Sequence, residues 1–317
     1  MENELRTKAR ELLESGEVKV VIGYEAGSVP FKITPLFAET VEDTERLVWN
    51  PACVNNLAVY LPSAIKEGRV AVVVKPCDAG AIIELIREHQ INREDVIVLA
   101  VACPGVLNLD GLAEPDLGDI RSIAWKDGGI SVTDGAGEVS IPREKAFLPK
   151  CLACEHPEPT IADVKIGEAP ARASTEGRYA DVEGYQAMSA AERRAFWAGH
   201  FERCIRCYAC RSVCPGCYCK ECFVEKTAFG GSGWISKATD PASNWFFHMA
   251  RAMHAAGRCT GCGECERVCP MGIPLSLIGK KLHMDVEEMF GFQPGADPDA
   301  LPVFGSFEMT DPDPCPE

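Results

Sequence analysis

The sequence predicts an α/β N-terminal domain with parallel strands, followed by a mainly helical domain built around cysteines. Three observations carry this expectation. Two aliphatic runs, at residues 70–74 and 96–102, flank a segment whose Ile82, Ile83, Leu85 and Ile86 fall on one helical face, the pattern of a β-α-β unit. After Cys151 the texture shifts to Pro, Gly and charge. Beyond that shift the motif C-x2-C-x2-C-x3-C-P occurs twice, at residues 204–215 and 259–270.

In chain order, "VKVVIGY" and "FKITPLF" read as strands and "ACVNNLAVYL" as a helix. The β-α-β unit follows, and "GGISVT" and "GEVSIP" read as short closing strands. "EHPEPTIADVKIGEAPARASTEG" reads as connection. A helix starts at Ser189, where Glu192 completes a capping box. Another starts at Asp240 as N-cap with Pro241 at its first position, and stops at Gly257. The expected organisation is residues 1–155 as the α/β domain, 156–188 as linker, 189–290 as the helical domain and 291–317 as an acidic tail.

Lys and Arg number 32 against 47 Asp and Glu, for a formal charge of −15. So acidic a chain has little with which to neutralise phosphates, which argues against nucleic acid or an anionic membrane surface as main partner. No aliphatic run approaches the ~18 apolar residues of a membrane span. Seventeen cysteines occur behind an N-terminus, "MENELRTKARELLESGE", with no apolar signal core. A reducing, cytoplasmic setting is therefore expected.

The doubled cysteine run has the spacing in which three thiolates hold one cubane and the fourth, before Pro, crosses to the other. That rule assigns Cys204, Cys207, Cys210 and Cys269 to one 4Fe-4S cluster, and Cys259, Cys262, Cys265 and Cys214 to a second. Zinc knuckles use paired C-x2-C units, and a tandem triple ending in Cys-Pro has no reason to recur around one tetrahedral ion. Two cubanes conduct single electrons, and neither run brings a general base, a nucleophile or an open metal position. The wide spacing of the runs, with a helix between, resembles the helical ferredoxin domains of succinate dehydrogenase and heterodisulfide reductase iron-sulfur subunits.

Cys77, in "KPCDAG", follows one strand of the β-α-β unit, and Cys103, in "ACPGV", follows its neighbour. Both are expected at the carboxyl edge of the parallel sheet, where α/β proteins bind ligands. Asp78 is the expected cap of the next helix, whose N-terminus would favour a Cys77 thiolate. Cys151 and Cys154, in "KCLACEHPEP", offer a second pair. On spacing alone, a shared metal centre and a set of unrelated buried thiols or a zinc pair stand even.

The stretches "RVAVVVKPCDAGAIIELI", "VIVLAVACPGV" and "KCLACEHPEPTIADVKIGE" together resemble the beta-subunit family of coenzyme F420-reducing hydrogenases and F420-dependent dehydrogenases, formate dehydrogenase beta subunits included. The resemblance spans roughly residues 18–170. It implies that Cys77, Cys103, Cys151 and Cys154 bind a third 4Fe-4S cluster. It also implies a domain that holds FAD and docks a deazaflavin, and protein redox partners in a multisubunit hydrogenase, formate dehydrogenase or heterodisulfide reductase-type complex. The chain departs from the family in placing its ferredoxin runs after the α/β domain. It also lacks a G-x-G-x2-G phosphate loop.

Cys53, Cys217, Cys219, Cys222 and Cys315 are then surplus. The first four are the candidate ligands of a fourth metal site. The alternatives are replacement of an assigned ligand by one of "CYCKEC", and plain reduced thiols. Cys315 is assigned no role. His248 and His254, six apart, do not share a helical face and are also assigned none. Trp245, Phe246 and Phe247 are expected in the core. Arg203, Arg206 and Arg211 either offset cluster charge or are solvated.

The leading expectation is an iron-sulfur electron-transfer subunit of an anaerobic redox complex. Its competitors are an FAD-dependent oxidoreductase subunit exchanging hydride with coenzyme F420 or NAD(P)H, and a zinc-binding structural adaptor. Flavin and iron content discriminate among the three.

Overall fold

The computed structural model describes residues 1–29, 31–109, 119–170, 177–222, 224, 236–307 and 309. Cys315 lies outside them. The chain divides into two units, residues 1–82 with 89–176, and residues 83–88 with 177–317. Among the described residues no helix is long and apolar enough to cross a membrane.

The first unit opens with α1 (Glu2–Glu14), then β1 (Val20–Ala26) and β2 (Ile33–Ala38). The expected helix "ACVNNLAVYL" forms only a 3₁₀ turn, Leu57–Tyr60, running into the one-turn α2 (Leu61–Ala64). Next come β3 (Val70–Val74), α3 (Ala79–Arg87) and β4 (Val96–Val101). An antiparallel sheet of β5 (Ser122–Lys126), β6 (Gly129–Thr133) and β7 (Glu138–Pro142) follows. The one-turn helices α4 (Arg143–Ala146) and α5 (Pro149–Leu152) lead to β8 (Val164–Ile166).

The main sheet has the order β2-β1-β3-β4-β8 and is mixed: β1 pairs antiparallel with β2, and the other three pairings are parallel. Every residue of β3 and β4 is buried, as their unbroken aliphatic runs require of strands covered on both faces. Pro35 sits in β2, an edge strand, where a missing N–H is tolerated. Val74 pairs with Ala100, so the chain leaves β3 and β4 at the same end of the sheet.

The expected linker, 156–188, is structured where it is described. Asp163 accepts hydrogen bonds from Val98 N–H at 2.7 Å and Arg93 at 2.5 Å, which docks β8 alongside β4. Three residues bounded by Pro and Gly are too short to betray this strand by periodicity. Further on, α6 (Ala180–Ala187) occupies the end of the same segment.

The second unit continues with α7 (Ala190–Glu202), α8 (Ala209–Ser212), α9 (Pro241–Ala255), α10 (Glu264–Arg267) and α11 (Leu275–Phe290). The capping box at Ser189 forms in both directions, with Glu192 N–H donating to Ser189 Oγ and Ser189 N–H to Glu192 Oε2. Asp240 caps α9 by accepting from Ser243 N–H at 3.0 Å. The core gathers Trp197, Phe201, Val224, Phe247, Ile273 and Leu275 around Cys210, with Cys204, Cys222, Cys265 and Cys269 packed against it. Trp245 is half-buried and Phe246 exposed, so of the three aromatics expected in the core only Phe247 is fully enclosed.

Residues 291–305 pack within this unit instead of forming a detached tail. Gly295 N–H donates to Glu84 Oε1 at 2.6 Å, Arg87 Nε donates to Ala300 O at 2.9 Å, and the Arg87 guanidinium lies 4.6 Å from the Phe292 ring centre.

Candidate functional site

The two cysteine runs fold as copies of one loop. In the first, Arg206 and Tyr208 take left-handed φ angles of 54° and 59°; at the same places in the second, Gly261 and Gly263 take 69° and 74°. Each loop ends in one helical turn, α8 or α10, followed by matching carbonyl contacts. Cys214 N–H donates to Arg211 O and Cys269 N–H to Glu266 O; Cys217 N–H donates to Cys214 O and Gly272 N–H to Cys269 O. Glycine meets the left-handed requirement without steric cost, whereas Arg206 and Tyr208 hold it against their own side chains.

Tertiary contacts over-determine the strained pair. Arg206 is buried, donates to Ser243 O at 2.9 Å and Ser236 O at 3.1 Å, and lies 4.8 Å from the Phe247 ring centre. Tyr208 accepts from Arg206 and meets Phe247 edge-on. Of the three arginines named from sequence, Arg206 is therefore the buried one. Arg203 is exposed, and Arg211 donates to Cys219 O.

Each prolyl cysteine stands near thiols of the other run, and Cys265 also stands beside Cys210. Burial raises the Cys204 thiol, and it pushes Cys210 up to about 11; Cys269 stands near enough to both to raise them further. In the other set burial again leads, raising Cys259 and pushing Cys265 up to about 11, with Cys214 adding to each. Cys207 neighbours Cys204. Cys262 lies between the two left-handed glycines of its loop. Cys214 itself is raised well above the usual thiol range, first by a hydrogen bond shared with Cys217 and then by burial. Cys217 is lowered by the same bond.

The helix between the runs touches both sets. Asn244, fully buried, donates through Nδ2 to Phe201 O and Cys204 O, both at 2.9 Å, which pins the entrance of the first loop to α9. His248 Nε2 lies 3.3 Å from Cys204 Sγ, and its ring stacks on Phe201 at 4.3 Å. Burial, with Arg251 and Arg206 nearby, lowers the imidazole to about 3, so it is neutral. Arg251 donates to Cys210 O at 3.2 Å. Comparing His248 with His254 misses this arrangement; the signal in the sequence is the spacing Asn244, His248, Arg251, one helical face at i, i+4 and i+7.

Cys77, Cys103, Cys151 and Cys154 come together in the first unit. The segment 106–108 pairs with 146–148 through Asn108 N–H to Ala146 O and Leu148 N–H to Val106 O, which brings Cys151 beside Cys103. Trp125 Nε1 donates to Gly105 O at 2.8 Å and holds the turn after Cys103. Val106 N–H points at Cys151 Sγ, 3.5 Å away. Burial raises Cys77 well above the usual thiol range, pushes Cys103 up to about 12 and raises Cys154; the charges of Cys103, Cys151 and Cys151 respectively add to these. Asp78 pairs with Lys75, and burial outweighs the stabilisation expected of Cys77 at a helix N-terminus.

Cys53 is enclosed in the first unit, where its thiol faces Val48 O at 3.7 Å and takes Asn50 N–H at 3.4 Å. Cys217, Cys219 and Cys222 belong to the second unit, Cys219 exposed and Cys222 against the core.

Among the described residues, no three His, Cys, Asp or Glu side chains close tightly enough to hold a single metal ion. The three sets of four thiols nevertheless fit 4Fe-4S cubanes in chemistry. Each includes thiols that burial raises, Cys77 and Cys103, Cys204 and Cys210, Cys259 and Cys265, where a metal would be needed to hold thiolate charge. Donors face sulfur, Val106 N–H at Cys151 and Ile273 N–H at Cys269 (3.5 Å), and the His248 ring nitrogen meets Cys204. Gly279 of α11 leaves room for Cys259, since a Cβ there would stand 3.0 Å from its Sγ.

Residues 67–195 match the family model for the C terminus of the coenzyme F420 hydrogenase/dehydrogenase beta subunit, and residues 200–273 match that of a 4Fe-4S dicluster domain. The chain is 25% identical, over 351 aligned residues, to F420-dependent formate dehydrogenase subunit beta of Methanocaldococcus jannaschii, covering 92% of this chain and 91% of that protein. It is also 25% identical, over 356 residues, to F420-dependent formate dehydrogenase 1 subunit beta of Methanococcus maripaludis, covering 93% and 90%. Among solved structures, a chain of the F420-reducing NiFe hydrogenase complex from Methanosarcina barkeri matches with a TM-score of 0.39 and 19% identity, over 48% of this chain and 58% of that one.

Proposed function

We propose that this chain, in which a C-terminal domain of the coenzyme F420 hydrogenase/dehydrogenase beta type is joined to a 4Fe-4S dicluster domain, is the iron-sulfur electron-transfer subunit of an anaerobic redox complex. The observation that supports the reading is that each prolyl cysteine of the two copied loops stands near thiols of the other, Cys269 near Cys204 and Cys210, Cys214 near Cys259 and Cys265, as a crossed ligand set requires. A crossed ligand set of this kind is how one small domain holds two cubanes side by side.

Cubanes, when bound, accept and release one electron at a time without bond making at the protein. The rest is the work of side chains. Cys204, Cys207, Cys210 and Cys269 hold one cluster; Cys259, Cys262, Cys265 and Cys214 hold the next. Trp197, Phe201, Phe247, Ile273 and Leu275 keep water from the thiols. Asn244 and Arg206 fix the first loop, which carries left-handed angles without glycine. Cys77, Cys103, Cys151 and Cys154, at the end of the parallel strands, hold a third cluster. The partners are protein subunits of a formate dehydrogenase or hydrogenase type, in keeping with what the relatives are named.

Iron and acid-labile sulfide, determined on anaerobically prepared protein with EPR of the reduced form, test this. Three cubanes require about twelve iron per chain. Zinc without iron would overturn the reading. Bound flavin, with hydride exchange toward a deazaflavin or nicotinamide, would move it to a catalytic role.

A further inference from the structure

On α9, Arg251 faces thiols of both crossed sets. Its Nη2 donates to Cys210 O at 3.2 Å, and it is within hydrogen-bond reach of the Cys265 thiol. It stands beside Cys210 of the first set and Cys214 and Cys265 of the second. Its Nε is buried and has no hydrogen-bond partner among the described residues. One helical turn before it, His248 reaches Cys204 alone. Arg206, the buried arginine of the first loop, faces Cys204 and is engaged by Ser243 O and Ser236 O.

Resting on the two-cluster reading above, we propose that Arg251 is a positioning residue shared by both cubanes. Its single guanidinium compensates the charge gained by either, so it raises the potentials of both. Each reduction adds one negative charge. Two such charges on one small domain repel in a low-dielectric interior, and the second electron is the harder to add. A cation fixed between the ligand sets stabilises both reduced forms and offsets that repulsion. His248, whose Nε2 meets the sulfur of Cys204 alone, acts on one cluster only.

The test is an EPR-monitored redox titration of the full chain, with iron counted beforehand in every sample. R251Q is expected to keep its iron and to lower both midpoints. For each cluster the reduced-to-oxidised ratio at fixed potential should fall about tenfold, equivalent to 59 mV for a one-electron couple. R251K, which keeps the charge, should restore both midpoints. H248F, which keeps a ring on Phe201, should lower one midpoint and leave the other. A shift confined to one cluster in R251Q, no shift, or an equal drop in R251K overturns the inference. If R251Q loses iron, the two midpoints of R251K decide alone: both near those of the unaltered chain sustain the proposal, and either one displaced refutes it. Failure of the two-cluster reading is separately visible, because the unaltered chain would then lack paired cluster signals.

Discussion

Lys75 Nζ lies 2.6 Å from the Asp78 carboxylate, with both side chains only 1% exposed. The ammonium also donates to Tyr24 OH at 3.0 Å and Asn55 O at 2.7 Å, and the other Asp78 oxygen faces the Cys77 thiol at 3.9 Å. A buried pair anchored in this way joins the end of β3 to the 3₁₀ turn that presents Cys77.

Breaking one side of that pair leaves an uncompensated buried charge. Lys75→Met is expected to lower unfolding stability by about 3–5 kcal/mol. Lys75→Met with Asp78→Asn should recover part of the loss. Urea denaturation of the three forms checks this, and a double variant no better than the single one would contradict it.

Cys77→Ser should remove about four iron, one cubane's worth, and leave the signals of the crossed pair intact. Iron analysis with EPR reads both. Unchanged iron would show that Cys77, Cys103, Cys151 and Cys154 do not share a cluster.

Gly279→Val tests the seat of Cys259. A Cβ alone would stand 3.0 Å from the sulfur, and a branched side chain cannot clear it. The expected result is loss of about four iron from the crossed sets, with the Cys77 centre retained. Full iron content in this variant would place Cys259 outside the ligand shell.

Cys53→Ala and Cys219→Ser should both leave iron unchanged. Cys53 is bonded inside the first unit, and Cys219 is exposed. A fall in iron in both would show that they share a fourth metal site.

Arg206→Gly separates backbone strain from the side chain's contacts. Glycine removes the cost of a left-handed φ, on the order of 1–3 kcal/mol, but deletes the hydrogen bonds to Ser243 O and Ser236 O and the contact with Phe247. Leaving those carbonyls unpaired costs about 1–3 kcal/mol each. Net destabilisation in a denaturant titration is expected, and a more stable variant would show that strain dominates.

How much is legible in the sequence varies with distance along the chain. The β-α-β unit, the cap at Asp240 and the capping box at Ser189 rest on local periodicity and on contacts three residues apart, and all three are present. Val164–Ile166 reads as connection because a three-residue strand has no period to detect, and its place depends on Asp163 meeting Val98 and Arg93 some 65 to 70 residues away. Asp78 has the neighbours of a helix cap, yet the buried ammonium of Lys75 claims it. The segment after Gly291 has the composition of a free acidic tail, whereas Glu84 and Arg87 hold its first part through Gly295 and Ala300, more than 200 positions off.

By itself the sequence determined the chemistry on offer: two copies of a cysteine run whose spacing suits cubanes, cysteines at the ends of neighbouring parallel strands, and no aliphatic run long enough for a membrane span. These follow from spacing and composition, which act locally. Only the tertiary structure decided the surroundings of the thiols. It stacked His248 on Phe201 against Cys204, turned His248 and Arg251 of α9 toward different thiols, and enclosed Cys53 among its own neighbours. Burial and electrostatics depend on which distant residues share a volume, and that is settled when the core closes, not by the order of residues along the chain.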